Sequence, residues 1–356
     1  MSKKTETVKA PSQGFKVMTE RDVKQRTVMQ IIGKIISQIL IYTFLIIMAI
    51  IVLFPFYWMI ISSLKTMAVY SQTGLTLETF FPKELAFENY ALAFKTADLW
   101  QLFKNTAFVG IVSTLLSLVI TVLSAFALAR LEFKGKNVFF AGLLATMMIP
   151  GELFTITNYQ TISNFLGLTT FAKNHLVEYP KLQEIVLHMG NWKNTFVVLI
   201  VPFLVSVFYI YLLRNNFMQI PNELYLAAKV DGTSDLKYLW KVMIPLSLPT
   251  LISITIMKMM GAWNSYMWPQ LVANDDAHKL VTNGLRGAGF NIDIKADAFV
   301  EVFDKAGLEA LENYTTLVHY PAQMAAVVIV SIPLFLVFVF LRKYIMKGVS
   351  RSGIKG

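Results

Sequence analysis

Six apolar segments, each long enough to cross a lipid bilayer, dominate this chain of 356 residues. A hydrocarbon core about 30 Å thick needs about 20 apolar residues per helix. The chain has 55% apolar and only 15% charged residues, whereas soluble domains average about 25% charged residues. We therefore predict an all-α integral membrane protein with six transmembrane helices, at roughly 37–62, 104–128, 138–158, 195–213, 247–270 and 321–341.

The distribution of Lys and Arg predicts which side of the membrane each loop faces. With the N-terminus inside, 20 of the 32 basic residues are cytoplasmic and 14 of the 22 acidic residues are external. Because an excess of Lys and Arg marks cytoplasmic segments, we expect both termini and the loop 214–246 to be cytoplasmic. The predicted domains are a cytoplasmic N-tail at 1–36, with an amphipathic interfacial helix near 17–37, a six-span domain at 37–345 and a cytoplasmic C-tail at 346–356.

Several kinds of chemistry have no support in the sequence. The chain has no Cys, and its four His have no spacing typical of metal ligands, so we expect no metal site. It lacks a GxxxxGK[ST] loop to bind ATP phosphates. It also lacks the paired carboxylates or nucleophile–base set of an enzyme, so we expect no catalytic residue and no cofactor. The chain has a net charge of +10. Its charged residues are distributed by membrane side and not gathered on one binding face, so no nucleic-acid partner is expected.

A polar stretch at Ile220–Pro245 separates the fourth and fifth apolar segments. Pro221 fits the first turn of a helix, where its missing N–H costs nothing. Gly232 predicts the end of that helix, because glycine adopts positive φ without a Cβ clash. Residues 233–235, Thr-Ser-Asp, then predict a second helix start. Pro245 is expected to end this second helix just before the fifth span.

This stretch resembles the EAA loop of ABC importer permeases, with the pattern Glu-Ala-Ala, three residues, Gly, nine residues and Ile-x-Leu-Pro. Ala227, Ala228 and Gly232 match, but Leu226 stands in the glutamate position and the nearest carboxylate is Glu223. The resemblance implies that 220–245 couples to a separate ATPase subunit, with small alanines allowing close approach. The implied coupling residues are Pro221, Glu223, Ala227, Ala228, Asp231, Gly232 and Pro245. An ordinary amphipathic connector is the alternative interpretation.

Further motifs extend the resemblance over nearly all of the chain from Ile46 onward. They include PFYW at 55–58, SSLK at 62–65, FENY at 87–90, AFALAR at 125–130, MIPGE at 148–152, GAWN at 261–264 and GIKG at 353–356. In this order they are similar to six-span permeases of the maltose/multiple-sugar group of ABC importers. The resemblance implies a multi-pass protein of a prokaryotic plasma membrane. Its implied partners are a second homologous permease, two ATP-binding subunits that hold ATP and Mg, an extracellular solute-binding protein and a sugar substrate.

Two predicted outer loops, at 169–193 and 290–319, are longer than the family pattern. One interpretation is a tolerated surface insertion, since lengthening a loop costs little closure entropy. The other is contact with the extracellular binding protein, which the resemblance places on this side of the membrane. The sequence leaves both open.

Polar residues within the spans are the candidates for a substrate pathway. A lysine such as Lys258 in mid-span is costly in lipid and should face the bundle interior, either in a buried ion pair or along the pathway. Glu152 follows a helix-breaking Pro-Gly and is either structural or substrate-binding. Asn264, flanked by Trp263, Tyr266 and Trp268, has the amide and aromatic groups that bind sugars. An interfacial aromatic belt explains the same aromatics without a sugar.

These observations favour the permease subunit of an ATP-driven importer that moves a sugar or oligosaccharide inward by alternating access. A permease of the same family for glycerol phosphate or another polar solute is an alternative. A gradient-driven secondary transporter belongs to another class, and its typical midplane carboxylates and inverted repeats are not evident here. The sequence does not identify the sugar or the residues that contact it.

Overall fold

Helices form the framework of the protein in a computed structural model, which describes residues 20–71, 74, 76–287, 291–293 and 316–350. The helices are α1 Glu20–Ser63, α2 Met67–Tyr70, α3 Leu77–Phe80, α4 Glu88–Ala97, α5 Leu99–Arg130, α6 Lys136–Thr146, α7 Gly151–Ser163, α8 Leu168–His175, α9 Pro180–Gly190, α10 Phe196–Ile200, α11 Val207–Met218, α12 Asn222–Val230, α13 Asp235–Tyr238, α14 Ile244–Leu246, α15 Leu248–Trp263, α16 Met267–Val272, α17 Val281–Gly287 and α18 Tyr320–Ser350. Short 3₁₀ turns lie at Phe165–Gly167 and Val201–Phe203, and a π-helical turn lies at Leu239–Met243.

The prediction of an all-α framework is confirmed for the described residues, apart from one pair of three-residue strands. The strands β1 Asn291–Asp293 and β2 Thr316–Val318 pair in antiparallel fashion, with Ile292 opposite Leu317. They lie in the predicted outer loop 290–319. The rest of that loop lies outside the described residues, as does the N-tail before Glu20.

Three helices are long and apolar enough to cross a membrane without a break: Ile31–Ser63, Leu99–Arg130 and Tyr320–Phe340. Three bent pairs pass the same test when each pair is taken together. They are Lys136–Thr146 with Gly151–His175 at 91°, Phe196–Phe203 with Val207–Met218 at 47°, and Asp235–Leu246 with Leu248–Trp263 at 81°. By length and composition, the described chain therefore has up to six spans, the number predicted from hydropathy.

Proline and chain-capping residues mark the bends. Pro150 separates α6 from α7, because a proline lacks the N–H that would continue the helical ladder. Ser206 starts α11 after the 3₁₀ turn that contains Pro202, and its hydroxyl accepts the N–H of Tyr209. The third and fourth apolar segments are therefore broken helices, where hydropathy alone predicted continuous spans.

The chain divides into two units, Met1–Trp58 and Met59–Gly356. In the described part of the first unit, α1 is helical from Glu20 on, so the segment predicted as an interfacial helix is continuous with the first span. The side chains of Ile31–Phe56 are exposed on every side of the helix. Such a surface is apolar all round, as expected for a helix that meets lipid or other apolar helices.

The second unit is built around α5, against which α11 and α15 pack. Phe126 of α5 and Phe217 of α11 belong to its main apolar cluster, together with Tyr238, Met243 and Ile254. This cluster lies beside the polar stretch Ile220–Pro245. The core therefore anchors that stretch directly to the three central helices.

The predicted outer loop 169–193 forms a helical hairpin of α8 and α9. Its two ends come close together, because a Cβ added to Gly190 would lie 2.7 Å from the backbone nitrogen of Thr169. The side-chain ring of Trp192 packs 4.6 Å from that of Phe165 and fixes the base of the hairpin. The hairpin is thus a compact, separate element.

Candidate functional site

The polar stretch Ile220–Pro245 forms the helix–break–helix predicted from its sequence. Helix α12 ends at Val230, and Gly232 follows with φ of 70°, in the left-handed region. The N–H of Thr233 donates to the carbonyl of Ala228 at 2.8 Å, and that of Gly232 to the carbonyl of Lys229 at 3.1 Å. This is the Schellman arrangement that a glycine after the helix favours. Ser234 caps the next helix through the N–H of Lys237.

Helix α12 has one face against the protein and one face in the open. Ala228 and Tyr225 pack on the main apolar cluster. Glu223, Ala227 and Val230 lie on the opposite, exposed face, since residues three, four and seven apart share one side of a helix. Leu226 is 56% exposed and Val230 is 88% exposed. Ala228 therefore packs against the protein, whereas Ala227 lies on the exposed face, where a partner can contact it.

A polar brace holds α12 to α13 across the glycine turn. The hydroxyl of Tyr225 donates to the Asp235 carboxylate at 2.7 Å, and the Lys229 ammonium lies 2.8 Å from the same oxygen. The bond from Lys229, and then that from Tyr225, lowers the pKa of Asp235. The Tyr225 ring also lies 5.2 Å from that of the buried Tyr238. These contacts make α12 and α13 one connected unit.

Arg130 ties this unit to the end of α5, and Arg214 of α11 makes a second contact with α5. Arg130 donates to the carbonyls of Phe217 and Ile220, at 2.9 and 2.5 Å, and to the side chain of Asn222. In the other direction, Arg214 donates to the carbonyl of Leu128 at 3.1 Å. Sequence reasoning treated Arg130 as part of a motif and as a topology marker. The signal that this reasoning missed is the position of Arg130 at the end of a long apolar helix, from which it donates to the backbone carbonyls of the neighbouring segment.

The second helix ends at Leu246, one residue beyond the end expected at Pro245. Helical structure passes through a π turn at Leu239–Met243, continues over Pro245 to Leu246, and bends only at Ser247. Pro245 therefore lies inside the helical segment that ends at the 81° bend before α15.

Of the predicted pathway residues, Lys258 lines a half-open cavity of about 360 Å³. Its ammonium donates to the carbonyl of Phe203, at 2.5 Å, where α10 and its 3₁₀ turn end. No acidic residue in the described part of the chain forms an ion pair with it. Of the two interpretations left open by the sequence, the cavity position favours a residue along the pathway.

The other predicted pathway residues do not line this cavity. Trp263 is buried against Phe103, with ring centroids 5.8 Å apart. Asn264 ends α15, and its amide donates to the Met260 carbonyl at 3.0 Å. The Tyr266 hydroxyl accepts a hydrogen bond from Arg286. Glu152 is exposed in the first turn of α7, where a carboxylate suits the helix dipole.

Of the residues around Lys258, the sequence pointed only to Trp268, as an aromatic neighbour of Asn264. Trp268 is buried beside the cavity, and its indole N–H donates to the Val198 carbonyl at 2.9 Å. Hydroxyl groups of Ser206, Tyr209 and Ser265 also line it. Ser265, which directly follows Asn264, lines the cavity, whereas Asn264 does not.

An asparagine–threonine pair in α5 holds the segment that covers the cavity. Asn105 donates to the carbonyls of Ala277 and Lys279, both at 2.9 Å, and the Thr106 hydroxyl accepts the N–H of Val281. Leu280, within this segment, lines the cavity. Asn105 and Thr106 therefore position the cavity wall from a neighbouring helix.

Comparisons with known proteins agree on one family. The family model described as "Binding-protein-dependent transport system inner membrane component" matches residues 117–351. The arabinooligosaccharides transport system permease protein AraQ of Halalkalibacterium halodurans is 28% identical over 309 residues, 86% of this chain and 93% of that protein. The trehalose/maltose transport system permease protein MalG of Thermococcus litoralis is 28% identical over 327 residues, 91% of this chain and 99% of that protein.

A solved structure has the same fold. It is the crystal structure of a bacterial ABC transporter involved in the import of the acidic polysaccharide alginate. One chain of it matches with a TM-score of 0.66 and 23% identity, over 88% of this chain and 97% of that chain. The match supports the helical architecture described above.

Proposed function

Since this chain belongs to the family of inner membrane components of binding-protein-dependent transport systems, we propose that it is the permease subunit of an ATP-driven sugar importer. It moves a sugar or oligosaccharide inward by alternating access. The relatives named for arabinooligosaccharides and for trehalose/maltose support a saccharide as the substrate. ATP and Mg are bound by partner subunits, and this chain contributes no catalytic group.

The observation that carries the proposal is the exposed, braced helix α12. It projects an apolar face with Leu226 and Val230, while Tyr225 and Arg130 join it to α13 and α5. A motion imposed on this helix by a partner passes into the transmembrane helices through these hydrogen bonds. The helical link through Pro245 carries the same motion into α15, on which Lys258 lies.

The proposed assembly contains this chain, a second homologous permease, two ATPase subunits and an extracellular solute-binding protein. Both termini and the loop 214–246 face the cytoplasm, where the ATPase subunits dock on α12. The excess of Lys and Arg on that side supports this orientation. Coupling involves Glu223, Ala227, Gly232 and the neighbouring residues of the same loop.

Cross-linking tests the docking and the orientation together. The chain has no native Cys, so Val230→Cys introduces one thiol at the most exposed large apolar side chain of α12. In the assembled importer, we expect a bifunctional thiol–amine reagent to join Val230→Cys to the ATPase subunit. The matched control is Val177→Cys, exposed between α8 and α9, which should give no such product. Cross-linking of the ATPase to position 177 and not to position 230 would contradict the proposal.

A further inference from the structure

The cavity beside Lys258 has a net positive charge. Val109, Leu199, Phe203 and Trp268 supply apolar surface, and Lys258 is the one charged side chain among the described residues that line it. A cation in a low-dielectric site is costly unless an anion or dipoles compensate it. Because Lys258 has no acidic partner among the described residues, its charge is balanced only by the Phe203 carbonyl.

An ammonium group has three N–H donors, and the Phe203 carbonyl accepts one of them. The remaining donors are available to a ligand in the cavity. Ser206 adds another, because its oxygen accepts the N–H of Tyr209 and leaves its own O–H to donate. The Lys258 ammonium and the Ser206 hydroxyl are therefore donors that the cavity offers to a ligand.

The break in the fourth span adds to the positive potential. Helix α11 begins at Val207, with Ser206 as its cap, and both Ser206 and Tyr209 line the cavity. The first turn of a helix of twelve residues carries free N–H groups and the positive end of the helix dipole. Lys258 and this helix start are on different elements, and both favour an anion in the same space.

We propose that this cavity binds the anionic group of an acidic saccharide, a carboxylate or a phosphate, and that Lys258 is its counter-ion. The proposal rests on the proposed function and narrows its substrate class. A single ammonium matches the single charge of a carboxylate, whereas a phosphate dianion is usually held by several charged donors. The apolar wall that includes Trp268 suits the C–H face of the attached sugar ring.

The absence of native Cys in the chain permits a test that does not depend on transport. Ser265→Cys places a thiol on the cavity wall, and its rate of modification is measured with a negatively charged sulfonate reagent and a positively charged trimethylammonium reagent. We expect the sulfonate to react faster. Adding Lys258→Gln, which keeps an N–H donor but removes the charge, should lower the sulfonate/trimethylammonium rate ratio about tenfold. Lys258→Arg should preserve it.

Protection of the same thiol identifies the anion. A uronic-acid disaccharide, its carboxyl-reduced neutral counterpart and a sugar phosphate are compared at equal concentration in the assembled importer. Slower modification with the uronate assigns a carboxylate, and slower modification with the phosphate assigns a phosphate. The proposal is overturned if the neutral sugar protects the thiol equally well. It is also overturned if Lys258→Gln leaves the sulfonate/trimethylammonium rate ratio unchanged.

Uptake provides a second readout for these variants. In the assembled importer, Lys258→Gln should reduce uptake of the acidic saccharide about tenfold more than uptake of a neutral one. An equal loss for both saccharides would mean that Lys258 only braces the break at Phe203, and the anion site would be rejected. Absence of ATP-dependent uptake of every saccharide would instead contradict the proposed function, and the labelling ratio still decides the charge of the cavity.

Discussion

At the scale of single residues, Gly232 has the clearest structural requirement. Its φ of 70° lies in the left-handed region, where a β-branched residue is strained by about 1–2 kcal/mol. We predict that Gly232→Val leaves membrane insertion intact and uncouples ATP hydrolysis from uptake, because the Schellman turn sets the angle between α12 and α13. The ratio of sugar transported to ATP hydrolysed in proteoliposomes measures this.

Gly135 offers a matched control for that substitution. It also has positive φ, at 81°, and open space around its Cα, but it precedes α6 and lies outside the coupling stretch. Gly135→Val should therefore strain the chain to a similar degree and keep hydrolysis coupled to uptake. Normal coupling in Gly232→Val, or equal uncoupling in both variants, would count against a special role for the glycine turn.

Leu226 occupies the position where the resembled loop pattern has glutamate, and Glu223 is the nearest carboxylate on the exposed face of α12. We expect Glu223 to supply the acidic contact with the ATPase subunit. Glu223→Ala should then lower uptake severalfold at low salt and less at high salt, because exposed charge pairs are screened. Glu132→Ala, another exposed carboxylate, is the control. Unchanged uptake in Glu223→Ala would contradict this role, and the contact of α12 with the ATPase subunit would then be an apolar one through Leu226 and Val230.

Residues with local signals were predictable from the sequence, and residues with long-range partners were not. Gly232 and Ser234 follow from turn and capping chemistry that involves only neighbouring residues. The Phe203 carbonyl that accepts from Lys258 is 55 positions away in sequence, and only the fold brings it near. Asn264 was a reasonable sugar-binding candidate by residue type. The chain turn at the end of α15 directs Ser265, and not Asn264, to the cavity.

At the scale of elements, the α8–α9 hairpin is the most separable part of the described chain. Thr169 and Gly190 approach closely, so residues 170–189 can be deleted and the ends joined while Trp192 keeps its contact with Phe165. Several apolar side chains of the hairpin are exposed, including Phe171, Tyr179 and Ile185. We expect these to contact the extracellular binding protein.

The predicted effect of deleting 170–189 is a severalfold rise in the binding-protein concentration that gives half-maximal ATPase stimulation, with an unchanged basal rate. Exposed apolar surface on the partner side would be lost while the membrane core stays intact. The substitution Tyr179→Ser provides a milder version that keeps the hairpin folded. If stimulation by the binding protein is the same with and without the hairpin, it is only a surface insertion.

Hydropathy located the spans, but it could not predict how they bend. A window of about 20 apolar residues gives the same signal for a straight helix and for a broken one. Pro150 signalled one break, yet the bend of 91° between α6 and α7 depends on packing. The bend before α15 occurs at Ser247, two residues after the proline that predicted it.

At the scale of the whole molecule, the central claim is that ATP hydrolysis by a partner drives import through this chain. In our proposal, this coupling runs from the exposed face of α12, through Tyr225 and Arg130, to the helices around Lys258.

Uptake of a labelled saccharide into proteoliposomes tests this claim most directly. The vesicles contain the purified assembly, with the cytoplasmic face inward and ATP and Mg trapped inside, and ionophores remove every ion gradient. We predict accumulation against the saccharide gradient that needs both ATP and the external binding protein, and that stops with a hydrolysis-deficient ATPase subunit. Accumulation that continues without ATP, and that follows an imposed proton or sodium gradient, would contradict the account.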